Sequence, residues 1–125
     1  MEIQWLEKKN KDTVTIYETN LTLNTIASNH FKDCIGAAVG YKAKEDKLII
    51  KALESDDLKN EEFNEDAFHQ ITIKSSYGRI NGTDLIKNLT GFHKLDFKTK
   101  SNHKFKGIWD SANKSLIIDL KEEIE

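Results

Sequence analysis

Six basic residues in the second half of the chain could bind phosphate groups. Lys and Arg side chains on one surface neutralise nucleic-acid phosphates and release counterions, which supplies most non-specific affinity. The candidates are Lys74, Arg79, Lys87, Lys98, Lys100 and Lys104. Arg79 is the only arginine and follows Gly78 in a predicted turn, where its planar guanidinium could grip a phosphate or a base edge. This set predicts a DNA-contacting surface.

Apolar and basic residues alternate around some of these positions, and this alternation predicts the secondary structure that would carry the surface. Between residues 93 and 106, Leu95 and Phe97 alternate with lysines, which predicts a strand pair around residues 101–102 with its lysines on one side. The same alternation is equally typical of a solvated hairpin face over an apolar core. Nucleic-acid binding and plain solubility both remain open at this point.

An acidic segment between residues 54 and 69 suggests a different partner. Its carboxylates could dock on a basic protein surface, including one that otherwise binds nucleic acid. The candidate residues are Asp56, Asp57, Glu61, Glu62, Glu65 and Asp66. The alternative function is therefore a small acidic inhibitor or accessory factor of the mobile-element type.

The sequence gives little support for metal binding or catalysis. His30 and Cys34 have helical i, i+4 spacing, but two ligands do not make a zinc site. The chain has no phosphate-cradling glycine loop, no Gly-x-Ser-x-Gly motif and no nucleophile beside an evident base. We therefore expect no metal, no cofactor and no enzymatic activity.

Composition limits the class of protein. The 125 residues are 38% hydrophobic and 32% charged, which suits one compact domain. Residues 1–68 carry 9 basic and 14 acidic side chains, whereas residues 69–125 carry 10 basic and 7 acidic. The apolar runs are too short to cross a bilayer and the N-terminus lacks a secretory pattern, so a soluble cytoplasmic protein is expected.

A possible internal repeat organises the chain. Residues 14–16 (Val-Thr-Ile) resemble residues 71–73 (Ile-Thr-Ile), and Leu23-Asn24 matches Ile80-Asn81 at the same offset. Residues 48–50 (Leu-Ile-Ile) recur as residues 116–118 at a larger offset. A chance match of unrelated β-rich stretches is the alternative.

The residue pattern of each repeat predicts a strand, a second strand, a short helix and a β-hairpin, in that order. The first strands are residues 13–17 and 70–74, and Asn24 and Asn81 are predicted helix caps. The helix stripes are Ala27, Phe31 and Cys34 in one copy and Leu85, Leu89 and Phe92 in the other. The hairpins pair residues 37–43 with 47–53, and residues 104–110 with 114–120. The predicted organisation is an N-terminal segment 1–12, a first unit 13–53, an acidic linker 54–69 and a second unit 70–121.

This pattern resembles the swapped-hairpin domain of AbrB- and MazE-type regulators, in which two such units interlock into one barrel-like dimer. The stretch from Gly78-Arg79-Ile80 to Gly91 is similar to that family's Gly-Arg-aliphatic segment followed by a helix. Ile86, Lys87 and Gly91 fall on its aliphatic, basic and glycine positions. The resemblance implies that Arg79 and Lys87 contact DNA, with Lys74 close enough to join them.

The fold expected is therefore a small β-rich α+β domain, swapped-hairpin-like, built from two pseudo-repeated units that share one core. The first functional hypothesis is a DNA-binding regulator or antitoxin-like module with duplex DNA as partner. The alternative is the acidic protein-binding factor. A homodimer, or an oligomer that pairs through an exposed hairpin edge, is a third hypothesis.

Overall fold

A computed structural model describes residues 2–5, 11–59 and 65–124. It contains two helices, α1 (Thr25–Asn29) and α2 (Thr83–Phe92). The strands of the first half are β1 (Thr13–Tyr17), β2 (Asn20–Asn24), β3 (Gly36–Lys42) and β4 (Lys47–Leu53). Those of the second half are β5 (Thr72–Ile73), β6 (Tyr77–Asn81), β7 (Asn102–Asp110) and β8 (Ser115–Ile124). The predicted β-rich α+β class is confirmed.

All eight strands join one curled sheet in the order β3-β4-β8-β7-β1-β2-β6-β5. Every neighbouring pair is antiparallel. The backbones of Ala37 and His69 exchange two hydrogen bonds of 2.9 and 2.8 Å, which bring the chain before β5 to the free edge of β3. The sheet therefore forms a half-barrel, with both helices packed against it.

The core fills the concave side of this sheet. Alternate residues of each long strand point inward, as the period of two in a β-strand requires. Val14, Ile16, Leu21 and Leu23 are all 0% exposed, and Phe31 is buried to the same degree. The opposite face of each strand is left for solvent or for a partner.

The first helix begins where the sequence predicts. The Asn24 side chain accepts a hydrogen bond of 2.9 Å from the Ala27 amide, so its role as N-cap is confirmed. The helix is shorter than predicted, because it ends at Asn29. Phe31 and Cys34 consequently follow the helix instead of lying on it.

The second helix departs further from the prediction. Its N-cap is Gly82, whereas Asn81 is still the last residue of β6, so the predicted Asn81 cap is wrong. The buried stripe consists of Ile86 and Leu89, and Phe92 is 67% exposed. Leu85 is partly buried against the core, so the predicted stripe is correct at Leu85 and Leu89, gains Ile86 and loses Phe92.

Both hairpins are confirmed, but the basic insert is not a strand pair. Residues 93–101 form a loop closed by Asp96, whose carboxylate accepts hydrogen bonds from the Lys98 amide (2.8 Å) and the Thr99 hydroxyl (2.6 Å). A side chain that bonds its own backbone two residues on competes with strand pairing. The predicted strand 70–74 also shrinks to Thr72–Ile73, at the free end of the sheet.

Gly78 has a packing role in β6. A Cβ atom there would lie 2.9 Å from the Ser28 Cβ and 3.0 Å from the Ile73 Cδ1. The absent side chain therefore lets α1 approach β6 closely. In the part of the chain that the structure describes, neither helix is long and apolar enough to span a membrane.

Candidate nucleic-acid interface

Four adjacent strands, β7, β1, β2 and β6, present a polar surface on the convex side of the sheet. Their inward neighbours are buried, so every second residue points outward. We call this surface the polar face. It consists of Thr13, Thr15, Tyr17, Asn20, Thr22, Asn24, Tyr77, Arg79, Asn81, Asn102, Lys104 and Lys106.

The strand register aligns Arg79 and Lys104 in one row. Lys104 lies opposite Thr15 across β7 and β1, and Thr22 lies opposite Arg79 across β2 and β6. The middle pair, Thr15 with Thr22, completes the row. Three strand spacings separate the two cationic side chains, which is roughly 14 Å. Small hydroxyl side chains fill the space between them.

The charge of the polar face is entirely positive. Its members include three cationic side chains and no carboxylate. Lys104 and Lys106 are exposed, and neither they nor Arg79 form an ion pair with any residue that the structure describes. The face therefore offers free positive charge in a chain whose net charge is −2.

Arg79 is held in place without being neutralised. Its guanidinium carbon lies 4.9 Å from the centre of the Tyr77 ring, a cation–π arrangement. Its Nε atom is buried and has no hydrogen-bond partner among the described residues. A buried donor without a partner costs free energy, and a ligand acceptor that reached it would recover that cost. Arg79 lies in the middle of β6, so its predicted position in a turn is wrong.

Two tyrosines add stacking surface to the polar face. Tyr17 is 36% exposed at the end of β1, opposite Asn102. Tyr77 is partly buried on β6, opposite Asn24. Aromatic rings beside cationic side chains are typical of surfaces that bind nucleic-acid bases as well as phosphates.

The other predicted basic residues lie outside this face, and Lys87 is on a helix whose buried residues join the core on the opposite, concave side. Lys74 is exposed in the turn before β6, where its amide donates to the Tyr77 carbonyl over 2.8 Å. Lys87 is exposed on α2, which starts where β6 ends, and Lys98 is exposed in the loop before β7. Lys100 differs from them because it forms an ion pair with Glu123. Its charge is therefore partly neutralised.

Glu123 is a strong anchor at this edge. Burial opposes its ionisation, but hydrogen bonds from Lys100 and His103 outweigh that effect and lower the pKa of its carboxyl group. His103 is 7% exposed, and its Nδ1 lies 2.7 Å from the Glu123 carboxylate. Its Nε2 lies 2.9 Å from the Asp96 carbonyl. His103 therefore ties β7 to both β8 and the preceding loop.

The structure describes only part of the acidic segment. Glu61 and Glu62 lie outside the described residues. Asp56 is exposed and pairs with Lys59 over 3.6 Å, while the Asp57 carboxylate accepts from the Glu54 amide over 2.7 Å. Two short 3-10 helices, Ser55–Lys59 and Glu65–Ala67, carry the described part, and the second includes Glu65 and Asp66.

His30 and Cys34 point to separate partners. His30 Nε2 lies 3.2 Å from the Asp12 carboxylate, and its ring stacks on Trp109 at 4.4 Å. The Cys34 thiol donates to the Phe31 carbonyl over 2.9 Å, and burial raises its pKa. A thiol with a raised pKa is a poor nucleophile and a poor metal ligand. No three His, Cys, Asp or Glu side chains converge within the described ranges.

Sequence reasoning missed the tyrosines and threonines that complete the polar face. A local signal existed, because Thr13, Thr15 and Tyr17 alternate with buried residues, but only the strand order brings them beside Arg79. Comparison of the chain with known proteins found no match among protein-family models, curated proteins or solved structures.

Proposed function

We propose that this protein binds nucleic acid through the polar face and acts as a DNA-binding regulator or antitoxin-like module. The observation that carries the proposal is a four-strand face with three unpaired cationic side chains and no carboxylate. Phosphates would lie against Arg79, Lys104 and Lys106, while the tyrosine rings and amide side chains contact sugars or bases. Lys74, which is exposed in the turn before β6, would extend the contact at one border.

Salt-dependent binding to a random-sequence DNA duplex tests the proposal. Fluorescence anisotropy, measured between about 25 and 150 mM salt, should show log K falling linearly with log salt. Arg79→Gln and the double variant Lys104→Gln/Lys106→Gln should weaken binding, and each lost phosphate contact should reduce the slope by about 0.9. Unlabelled single-stranded DNA and RNA as competitors identify the preferred form.

Lysines away from the face provide the matched control. Lys32 and Lys44 are exposed, one in the loop before β3 and the other in the β3–β4 turn. Lys32→Gln/Lys44→Gln removes the same charge as the double variant on β7, and should leave most of the affinity intact. Equal losses in both double variants, or no binding even at low salt, would contradict the proposal.

We also propose that the two halves are copies of one unit, interlocked as in the swapped-hairpin family. Equivalent positions of the two hairpins pair in the same register: Tyr41 with Leu48, and Trp109 with Leu116. The N-terminal hairpins correspond as well, since Thr15 pairs with Thr22 where Thr72 pairs with Arg79. These correspondences support a pseudo-twofold arrangement of the chain.

The backbone geometry of the two hairpin turns also supports the proposed repeat. Asp46 and Lys114 occupy equivalent positions after the two hairpin turns, and both have positive φ, 52° and 49°. The Asp46 carbonyl accepts from the Leu120 amide over 3.0 Å, and the Lys114 carbonyl accepts from the Ala52 amide over 2.8 Å. Each hairpin thus holds the other through the same kind of bond.

A further inference from the structure

The polar face is too wide to enter a groove of double-stranded DNA. We call its row of Arg79, Thr22, Thr15 and Lys104 the middle row. This row crosses four strands and spans roughly 14 Å, whereas the major groove is about 12 Å wide and admits a helix or a two-stranded ribbon. On a duplex the face therefore stays outside the groove, where it meets phosphates but no base edges.

The curvature of the sheet limits contact with a duplex further. The polar face lies on the convex side, because the buried core fills the concave side. A duplex is convex as well, and two convex surfaces touch only over a narrow area. A single strand does not have this restriction, since its backbone bends to follow a surface and its unpaired bases turn towards it.

The side chains of the polar face suit bases and sugars better than phosphates. Nine of its twelve members are uncharged: three threonines, four asparagines and two tyrosines. Hydroxyl and amide groups bond to sugars and to base edges, and only unpaired bases expose all of their hydrogen-bonding edges. Three cations neutralise few phosphates, so they give a duplex little non-specific affinity.

Tyr17 is placed to stack on a base. It is 36% exposed at the end of β1 and lies opposite Asn102 of β7. The register puts it roughly 8 Å from Lys104 and roughly 12 Å from Arg79, measured along and across the strands. A base stacked on this ring thus has a cation within reach of the phosphates that flank it.

Carboxylates at the borders of the polar face favour the same orientation. Glu18 follows Tyr17 between β1 and β2 and is exposed. Asp119 and Glu122 line a cavity together with Lys106. These carboxylates repel phosphate from both borders, so phosphates are drawn to the middle row and the tyrosine ring is left for a base.

We propose that the polar face binds single-stranded nucleic acid, with one base stacked on Tyr17 and the flanking phosphates held by Arg79 and Lys104. The Nε atom of Arg79 is buried without a hydrogen-bond partner among the described residues, and a phosphate oxygen would satisfy it. The inference rests on the proposed nucleic-acid binding and specifies its form, an unpaired strand. Stacking accepts any base, so binding tolerates many sequences.

Fluorescence anisotropy of one labelled sequence in different forms tests the inference. A strand of about 12 nucleotides without self-complementarity is offered at about 50 mM salt as single-stranded DNA, as single-stranded RNA and as the DNA duplex. We expect the preferred single strand to bind at least about tenfold more tightly than the duplex, because a stacked base contributes a gain of this order. The DNA and RNA strands show which sugar the face prefers.

Substitutions of Tyr17 show whether stacking causes the preference. Tyr17→Ala should lower the affinity for the single strand at least about fivefold and leave the affinity for the duplex unchanged. Tyr17→Phe should retain the affinity for both, because the ring stacks and the hydroxyl does not. Phe92→Ala is the matched control, since Phe92 is 67% exposed at the end of α2, outside the polar face. Circular dichroism verifies that each variant is folded.

The outcomes separate this inference from the proposed function. A duplex that binds as tightly as either single strand overturns the inference but leaves nucleic-acid binding intact. The same holds if Tyr17→Ala changes nothing, weakens both forms alike, or loses no more affinity than Phe92→Ala. Absence of binding to every form at low salt overturns both proposals.

Discussion

At the scale of single residues, His103 and Glu123 form a polar contact that joins β7 to β8. Both ring nitrogens of His103 face acceptors, the Glu123 carboxylate and the Asp96 carbonyl. Glu123 in turn accepts from Lys100, so one carboxylate holds both side chains at the start of β7.

Glu123→Gln should lower stability in a pH-dependent way. The pKa of Glu123 is lowered in the folded protein, so its stabilisation is present above the ordinary value of 4.5 and is lost as pH falls below it. We expect the variant to lose about 1 kcal/mol of unfolding free energy at pH 7, the scale of a charge-assisted hydrogen bond that is partly exposed. Urea denaturation at several pH values between 3 and 7 measures this.

The neighbouring Glu122 provides the control for that experiment. It is exposed, so Glu122→Gln should change stability little at any pH. The difference between wild type and Glu123→Gln should shrink in acid, because the wild-type carboxyl becomes protonated. A constant difference from pH 7 to pH 3 would show that the glutamine disturbs packing instead.

At the scale of elements, Asn24 connects a helix to two other segments. Its Oδ1 accepts from the Ala27 amide (2.9 Å) and the Thr13 amide (3.2 Å). Its Nδ2 donates to the Lys11 carbonyl over 2.8 Å. One amide side chain thus caps α1 and ties it to the start of β1. Asn81, its counterpart in the proposed repeat, is exposed and caps nothing.

Asn24→Ala and Asn81→Ala should therefore differ. We expect Asn24→Ala to cost about 1–2 kcal/mol of unfolding free energy, the range for a lost N-cap. Asn81→Ala should stay within about 0.5 kcal/mol, as is usual for surface substitutions. Thermal or urea unfolding of the two variants side by side gives the comparison. Similar losses would mean that Asn81 has a structural role not visible in its contacts.

Asn24 and Asn81 also show where local sequence patterns predict the structure correctly and where they do not. Local patterns predicted β1, both hairpins and the Asn24 cap, because alternation, turn residues and capping act over a few residues. They failed at Asn81, where Gly82 takes over the cap, and at residues 93–101, where Asp96 closes a loop. At Asn81 the strand continues for one residue more than predicted. At residues 93–101 the hydrogen bonds of Asp96 replace the predicted strand pairing.

The candidate site was less predictable than the elements. Arg79 and Lys104 were identified by residue type, but their shared row depends on β1 and β2 lying between β6 and β7. The neutralisation of Lys100 depends on Glu123, which is 23 residues away. Contacts of this kind follow from sheet order, and a single sequence does not determine that order.

At the scale of the whole molecule, neither half contains a continuous sheet. In the first half the β1–β2 and β3–β4 hairpins are separated by β7 and β8. Strand β4 pairs with β8, β1 with β7 and β2 with β6, so every junction between hairpins joins one half to the other. Strands from both halves therefore build the core, and a fragment of about sixty residues has at best a marginal core of its own.

Division of the chain within the acidic linker should thus give two fragments that fold only together. We expect fragments 1–62 and 63–125 to be largely unfolded when separate, and to form a one-to-one complex with the circular dichroism spectrum of the intact chain when mixed.

Ile118 is fully buried opposite Leu48, so Ile118→Asp in the second fragment should abolish the complex. Lys121→Asp, exposed on the same strand, should not. A stable monomeric fold in either fragment alone would contradict the interlocked arrangement, because it would mean that one unit completes a core without strands from the other.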